Sequence, residues 1–260
     1  MTLSSPETDG SDPRPLHVRI AADLRGEIMS GGLASGAKLP STAQLKNRFD
    51  ASNATIQKAV QLLKSEGLVI GRAGSAITVR QNRQRTVRPA GSLAPAGDGT
   101  TYPWLARAVT EQSAAARVTL LSVEEVPVAG DVATALGLPG GGRAVRRYQL
   151  ITLDGEPAEL VSSYYPLDVA HGTALAAARR IRGGTPTLLT GLGFPPAHST
   201  DRISARIATQ EQYAALRLPG DLPVLRTLRT VCDGDHRPVE VTVMVKAGHL
   251  YELQYEFTPE

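Results

Sequence analysis

Asn53, Thr55, Gln57 and Lys58 place two amides, a hydroxyl and an ammonium within six residues. Asn and Gln carry the paired donor and acceptor that match the adenine edge in the major groove, while Lys and Thr suit phosphate or either kind of base. These groups read DNA together if they share the outward face of a helix. No equally ordered catalytic set is present in the sequence. The five histidines (His17, His171, His198, His236, His249) are scattered, no Cys/His cluster has metal-ligand spacing, and there is neither a Gly-x-Ser-x-Gly nor a phosphate-binding glycine loop. Asp233 and Asp235 flank Gly234 as turn residues do. No catalytic residue, metal site or cofactor is expected. A polar helical face is by default a solvated face, so the flanking elements must decide.

Those elements form a recognisable series. Leu16, Ile20, Leu24 and Ile28 recur every four residues, the apolar stripe of a first helix that Gly31-Gly32 ends. A second helix runs from Ser41 through Phe49, capped by Ser41 or Thr42, with Leu45 and Phe49 inward. Asp50-Ala51-Ser52 makes a tight turn. Ser52 caps a third helix over 53–66 that stops at Gly67, burying Ile56, Ala59, Val60 and Leu63 and leaving Asn53, Thr55, Gln57 and Lys58 outside. Two β-runs, 68–71 and 76–79, flank a tip of Gly71-Arg72-Ala73-Gly74-Ser75, a length that suits a hairpin. The series predicts a winged helix-turn-helix. Arg72 at the tip is placed for the minor groove or a phosphate, unless the hairpin only covers the core.

Charge follows the same division. The net charge is only +3, yet residues 1–88 hold thirteen Lys/Arg against seven Asp/Glu, leaving fifteen against eighteen for 89–260. A basic amino-terminal portion is expected if it neutralises phosphates. Residues 1–13, rich in Ser, Pro, Asp and Gly, are expected to form a disordered tail. The domain proper covers 14–80, 81–100 reads as a flexible linker with Arg83, Arg85 and Arg88 in its first half, and 101–260 is long enough for a second core. No run of roughly 18 apolar residues could span a bilayer, and the acidic, polar start is unlike a signal peptide. The lone Cys232 fits a reducing compartment. A soluble cytoplasmic protein without membrane partners is expected.

Residues 14–80 resemble the DNA-binding domain of the GntR family of bacterial transcription regulators. Leu39-Pro40-Ser41, Thr55-Ile56-Gln57-Lys58-Ala59, Leu62-Leu63, Glu66-Gly67-Leu68-Val69 and the glycine-containing wing carry the likeness. The resemblance implies DNA contacts from the starts of the second and third helices and from the wing: Ala43, Ser52, Asn53, Thr55, Gln57, Arg72 and Gly74, with Ser41 and Lys58 beside them. Where many relatives carry Arg, this chain has Ala43, Asn53 and Gln57. Arg favours guanine and the amides favour adenine, so an operator shifted toward adenine contacts is expected.

From 101 onward, strand-like runs (116–126, 142–153, 157–166, 202–208, 223–233, 238–250, 251–257) alternate with helical ones (104–112, 131–137, 168–177, 186–191, 210–216). Short turns between strands predict a mainly antiparallel sheet with helices on one face, an α+β domain. This portion resembles the UTRA effector-binding domain of the HutC branch of that family. The likeness rests on Val145-Arg146-Arg147, Leu153-Asp154-Gly155-Glu156-Pro157, Ser163-Tyr164-Tyr165-Pro166, Leu216-Arg217-Leu218-Pro219 and Arg237-Pro238-Val239-Glu240. It implies a chorismate-lyase-like fold, a homodimer, and an effector pocket drawing on Arg147, Gln149, Glu159, Ser163, Tyr165, Arg206 and Glu240. Arginine and hydroxyl donors suit an anionic or sugar-like ligand. Together these features imply a transcription regulator, expected to be a repressor that holds a palindromic double-stranded DNA operator and answers to a small molecule. A regulator without an effector, or an enzyme on the lyase-like fold, are the alternatives.

Overall fold

A computed structural model describes residues 12–71, 76–80, 84–89, 116–220 and 222–257. The chain divides into two compact units, 1–83 and 84–260. The expected helix at 104–112 and most of the tail and linker lie outside the described residues.

In the first unit the predicted stripe becomes α1 (Leu16–Ser30), whose Ile20, Leu24 and Ile28 are buried and which ends on Gly31 in the left-handed region, φ 85°. Helices α2 (Thr42–Phe49) and α3 (Asn53–Ser65) follow. Asp50 makes the turn between them at φ 45°, a conformation that the short polar Asp tolerates. Leu45, Ile56, Ala59 and Leu63 close against the α1 stripe in one core, which Val69 and Val79 complete from the wing. Burying such aliphatic side chains stabilises the unit by about 1.5–3 kcal/mol each. The wing is short: β1 (Val69–Ile70) pairs antiparallel with β2 (Thr78–Val79).

The second unit begins where a connector was expected. Arg85–Val87 is a strand, β3, paired in parallel with β10 (Tyr251–Leu253). Gln84 Nε2 donates to the Gly248 carbonyl at 2.7 Å, and Arg85 pairs with Asp154. Residues 84–87 thus correct the expectation of a linker running unbroken over 81–100, because hydrogen bonds from far along the chain tie them down.

The main sheet has six strands in the order β4-β5-β6-β9-β8-β7: β4 (Ala116–Pro127), β5 (Arg143–Leu153), β6 (Glu156–Pro166), β9 (Pro238–Ala247), β8 (Pro223–Cys232) and β7 (His198–Ile207). Every neighbouring pair is antiparallel. The helices are α4 (Gly130–Leu136), α5 (Leu167–Ala170), α6 (Gly184–Gly191) and α7 (Gln210–Leu216). They divide between both faces rather than sharing one. Val132 and Leu136 of α4 pack with Ala144, Leu228 and Val241, and Leu216 of α7 packs with Leu160, Val224 and Val245. Val145, Tyr165 and Val231 point the other way and meet Val169 of α5 and Leu189 of α6. Strand alternation allows this, since each face of the sheet carries its own cluster of buried apolar residues.

Candidate DNA-reading face and ligand pocket

Two serines set the reading helices. Ser41 caps α2 in a reciprocal box: Gln44 N donates to Ser41 Oγ at 3.3 Å, and Ser41 N donates to Gln44 Oε1 at 2.8 Å. Ser52 caps α3, its Oγ accepting from Thr55 N at 3.2 Å and lying 2.8 Å from Thr55 Oγ1. Both serines and Thr55 therefore use their side-chain oxygens to hold helix starts. Asn53, Gln57 and Lys58 stand exposed on α3 and Ala43 on α2. Gln61, one turn beyond Gln57, shares the exposure. It was missed in the sequence, although the i, i+4, i+8 series from Asn53 contains it. Arg72 and Gly74 lie outside the described residues.

Not all of the basic charge is available outward. Arg25 of α1 forms a two-pronged pair with Glu66 at the end of α3, its Nε at 2.9 Å, and Arg48 of α2 pairs with Glu27 of α1. These arginines tie helices to one another.

In the second unit, the strand register gathers polar residues into rows on the face that α5 and α6 partly cover. One row crosses five strands as Arg147, Ser163, Thr242, Arg229 and Asp201. The next holds Gln149, Val161, Met244 and Thr227, and a third holds Ile151, Glu159 and Lys246. Tyr165 and Glu240 occupy the same face at the covered end. Six of the seven predicted effector residues thus share one face. Arg206 does not join them. It pairs with Val224 on the opposite parity of β7, is exposed, and donates to Ser204 Oγ at 3.0 Å.

The chemistry within the rows differs from what residue types alone suggest. Arg147 is buried, 2% exposed, and its guanidinium donates to the carbonyls of Leu175, Ala177 and Arg179 at 2.8, 2.8 and 2.6 Å, with Ala174 at 3.4 Å. It clamps a loop. The expected helix over 168–177 stops at Ala170, and Gly172 at φ 73° turns the chain out of the helical path. With Arg147 so occupied and Arg206 elsewhere, the cationic basis for an anionic ligand loses both arginines.

Tyr165 donates to Glu240 Oε1 at 3.1 Å, Thr242 donates to the same oxygen at 2.7 Å, and Ser163 lies 2.8 Å from Thr242. Part of Glu240 reaches the surface, yet its carboxyl sits at depth, and burial raises its pKa above the ordinary value despite these hydrogen bonds. Burial, then the neighbouring Glu240, pushes the Tyr165 hydroxyl well up.

The open part of this face is a pocket. Glu159, Thr227, Arg229, Asp201, Met244 and Lys246 form its sheet wall, and Val87, Arg88, Pro89, Leu253 and Tyr255, beside β3 and β10, form the other. Of the predicted residues only Glu159 lines it. The remaining lining was missed because β3 hid in a connector and because the parity of β8 and β9 shows only after pairing.

Two family models match the chain, the one described as bacterial regulatory proteins, gntR family, over residues 16–79 and the UTRA domain over 111–252. An HTH-type transcriptional regulator of Streptomyces coelicolor is 30% identical over 247 residues, spanning 92% of this chain and 91% of its own. Two solved structures share the fold. One described as a GntR-family transcriptional regulator covers 95% of this chain and 99% of its own at TM-score 0.63 and 24% identity. The other, PhnF from Mycobacterium smegmatis, covers 93% and 100% at TM-score 0.57 and 17% identity.

Replacing Arg147 with Met removes the donor from the buried Leu175 carbonyl, costing about 1–3 kcal/mol, and from the part-buried carbonyls of Ala174, Ala177 and Arg179. The expected loss, about 2–3 kcal/mol, is measured by urea unfolding; a loss within experimental error would deny the clamp. For Glu240, a raised folded pKa means that the native state holds the proton more tightly than the unfolded chain. That contribution is fully present below the ordinary carboxylate range and is lost as pH rises through the raised folded value. Glu240→Gln should flatten this part of the stability profile in melts between about pH 4 and 8, and parallel wild-type and variant profiles would contradict it.

Proposed function

Because the chain belongs to the GntR family of bacterial transcription regulators and carries a UTRA effector domain, we propose that it is a homodimeric repressor. It holds a palindromic operator and is controlled by a small molecule in the pocket of the six-stranded sheet. The supporting observation is the outward face of α3: Asn53, Gln57 and Lys58 stand exposed on a helix whose start is fixed by Ser52 and whose back is buried in the core. That is the presentation a recognition helix needs in the major groove. Ala43, Ser41 and Thr55 flank it as backbone-near contacts, and Arg72 and Gly74 belong to the proposed wing contacts. The place of action is the cytoplasm, with DNA as partner; among the described residues no helix is long and apolar enough to cross a membrane. The role is regulatory rather than enzymatic.

For the second copy, the edge strand β7 is the proposed seam. It presents Ile203 at 41% and Ile207 at 77% exposure on one side of a ten-residue strand, and among the described residues only β8 pairs with it. An unpaired edge with exposed apolar residues is a template for strand pairing, and a two-fold interface uses the same patch twice.

Selection from random DNA tests the reading head: adenine should dominate the positions facing Asn53 and Gln57, and the Asn53→Ala and Gln57→Ala proteins should each relax one of them, with about 1–3 kcal/mol of discrimination lost per contact. Unchanged selected sequences would refute these contacts. Placing Lys at both Ile203 and Ile207 should convert the dimer to monomer by light scattering and weaken operator binding, whereas a persistent dimer would move the seam elsewhere.

A further inference from the structure

The pocket wall carries two ion pairs that are already complete. Lys246 Nζ lies 2.8 Å from Glu159 Oε1, with the two side chains 6% and 1% exposed, and the ammonium also sits 5.9 Å from the centre of the Tyr251 ring. Arg229 grips Asp201 through two bonds of 2.6 and 2.7 Å. Arg88 stands at the rim, half-exposed, 3.7 Å from Glu256. Each cation therefore has its carboxylate, and the sheet wall has no net charge. An anionic ligand would have to displace Glu159 or Asp201 from a partner and then face the released carboxylate, which is repulsion built into the site.

Two buried atoms on this wall, Glu159 Oε2 and Thr227 Oγ1, have no partner at full hydrogen-bond distance among the described residues, although the Tyr251 hydroxyl also interacts with the Glu159 carboxylate. The carboxylate oxygen can only accept, so what satisfies it must donate; the hydroxyl can do either. Glu159 lies on β6 and Thr227 on β8 with β9 between them and a two-residue offset in register, placing them roughly 10–12 Å apart at the backbone. A six-membered ring with hydroxyls at opposite ends, extended by a hydrogen bond at each, is of about that length. Met244 lies between them, and Val87, Pro89, Leu253 and Tyr255 face them across the pocket, a surface suited to the C–H face of such a ring.

We propose that this pocket selects an uncharged, hydroxyl-bearing ring compound with one apolar face, such as an unphosphorylated sugar, and that Glu159 and Thr227 are the selecting residues. The inference rests on the effector reading above and narrows it to one chemical class. A ligand hydroxyl donates to Glu159 Oε2, a second bonds Thr227 Oγ1, and both ion pairs stay intact.

Thermal melting of the full chain tests this with matched probes: glucose and glucose 6-phosphate, N-acetylglucosamine and its 6-phosphate, and salicyl alcohol and salicylate. A ligand that binds the folded state raises its melting temperature. At least one neutral member should raise it, and its charged counterpart should not. The Thr227→Val protein alone should melt at or above wild type, because a buried hydroxyl without a partner is removed, and it should lose the neutral compound's shift; Thr227→Ser should keep it. A shift by charged members only would overturn the proposed class and leave the effector reading standing. No shift from any probe would count against both. A lowered melting temperature for Thr227→Val in the absence of probe would show a structural partner for the hydroxyl and overturn its selecting role.

Discussion

A charged or hydrogen-bonding group on the covered face of a sheet must find a partner, since burial without one costs more than most single contacts return. The second unit is arranged around that constraint. Its six strands bring Arg147, Ser163, Thr242, Arg229 and Asp201 into one row, and each is answered differently. Arg147 draws in the carbonyls of a loop and fixes its path. Ser163 and Thr242 join Tyr165 in hydrogen-bonding around Glu240. Arg229 and Asp201 answer each other. Where the covering helices end, the same rows continue into the pocket, so one face is polar core at one end and pocket wall at the other.

The first unit solves an opposite problem, keeping polar groups outside while fixing their direction. Serine caps at the starts of α2 and α3, Asp50 in the turn and the shared core with α1 leave little freedom to the exposed face of α3. The pairs Arg25–Glu66 and Arg48–Glu27 add cross-links between helices. Partly exposed pairs of this kind are individually weak, about 0–1 kcal/mol, so their larger effect is on geometry and on how much positive charge remains for phosphates.

Much of this was legible in the sequence. The four-residue stripe from Leu16 to Ile28, the cap at Ser52 and the stop at Gly67 are local signals, and the helices follow them within a residue or two. The sheet strands announced themselves by length and turn chemistry. What stayed hidden depends on pairing. Arg147 and Arg206 look alike as residues on strands, yet register puts one among buried carbonyls and the other on the opposite, solvated side. Nothing local in Arg85-Thr86-Val87 distinguishes a strand from a connector, because its partner lies beyond residue 250. Thr227 and Lys246 emerge as pocket-lining residues only once β8 and β9 are aligned.

The strand β3 opens the second unit, and its last residue Val87, with Arg88 and Pro89 directly after it, lines the pocket. Parallel pairing with β10 holds this segment in place, so one side of the pocket is built from two short strands that come from opposite ends of the second unit.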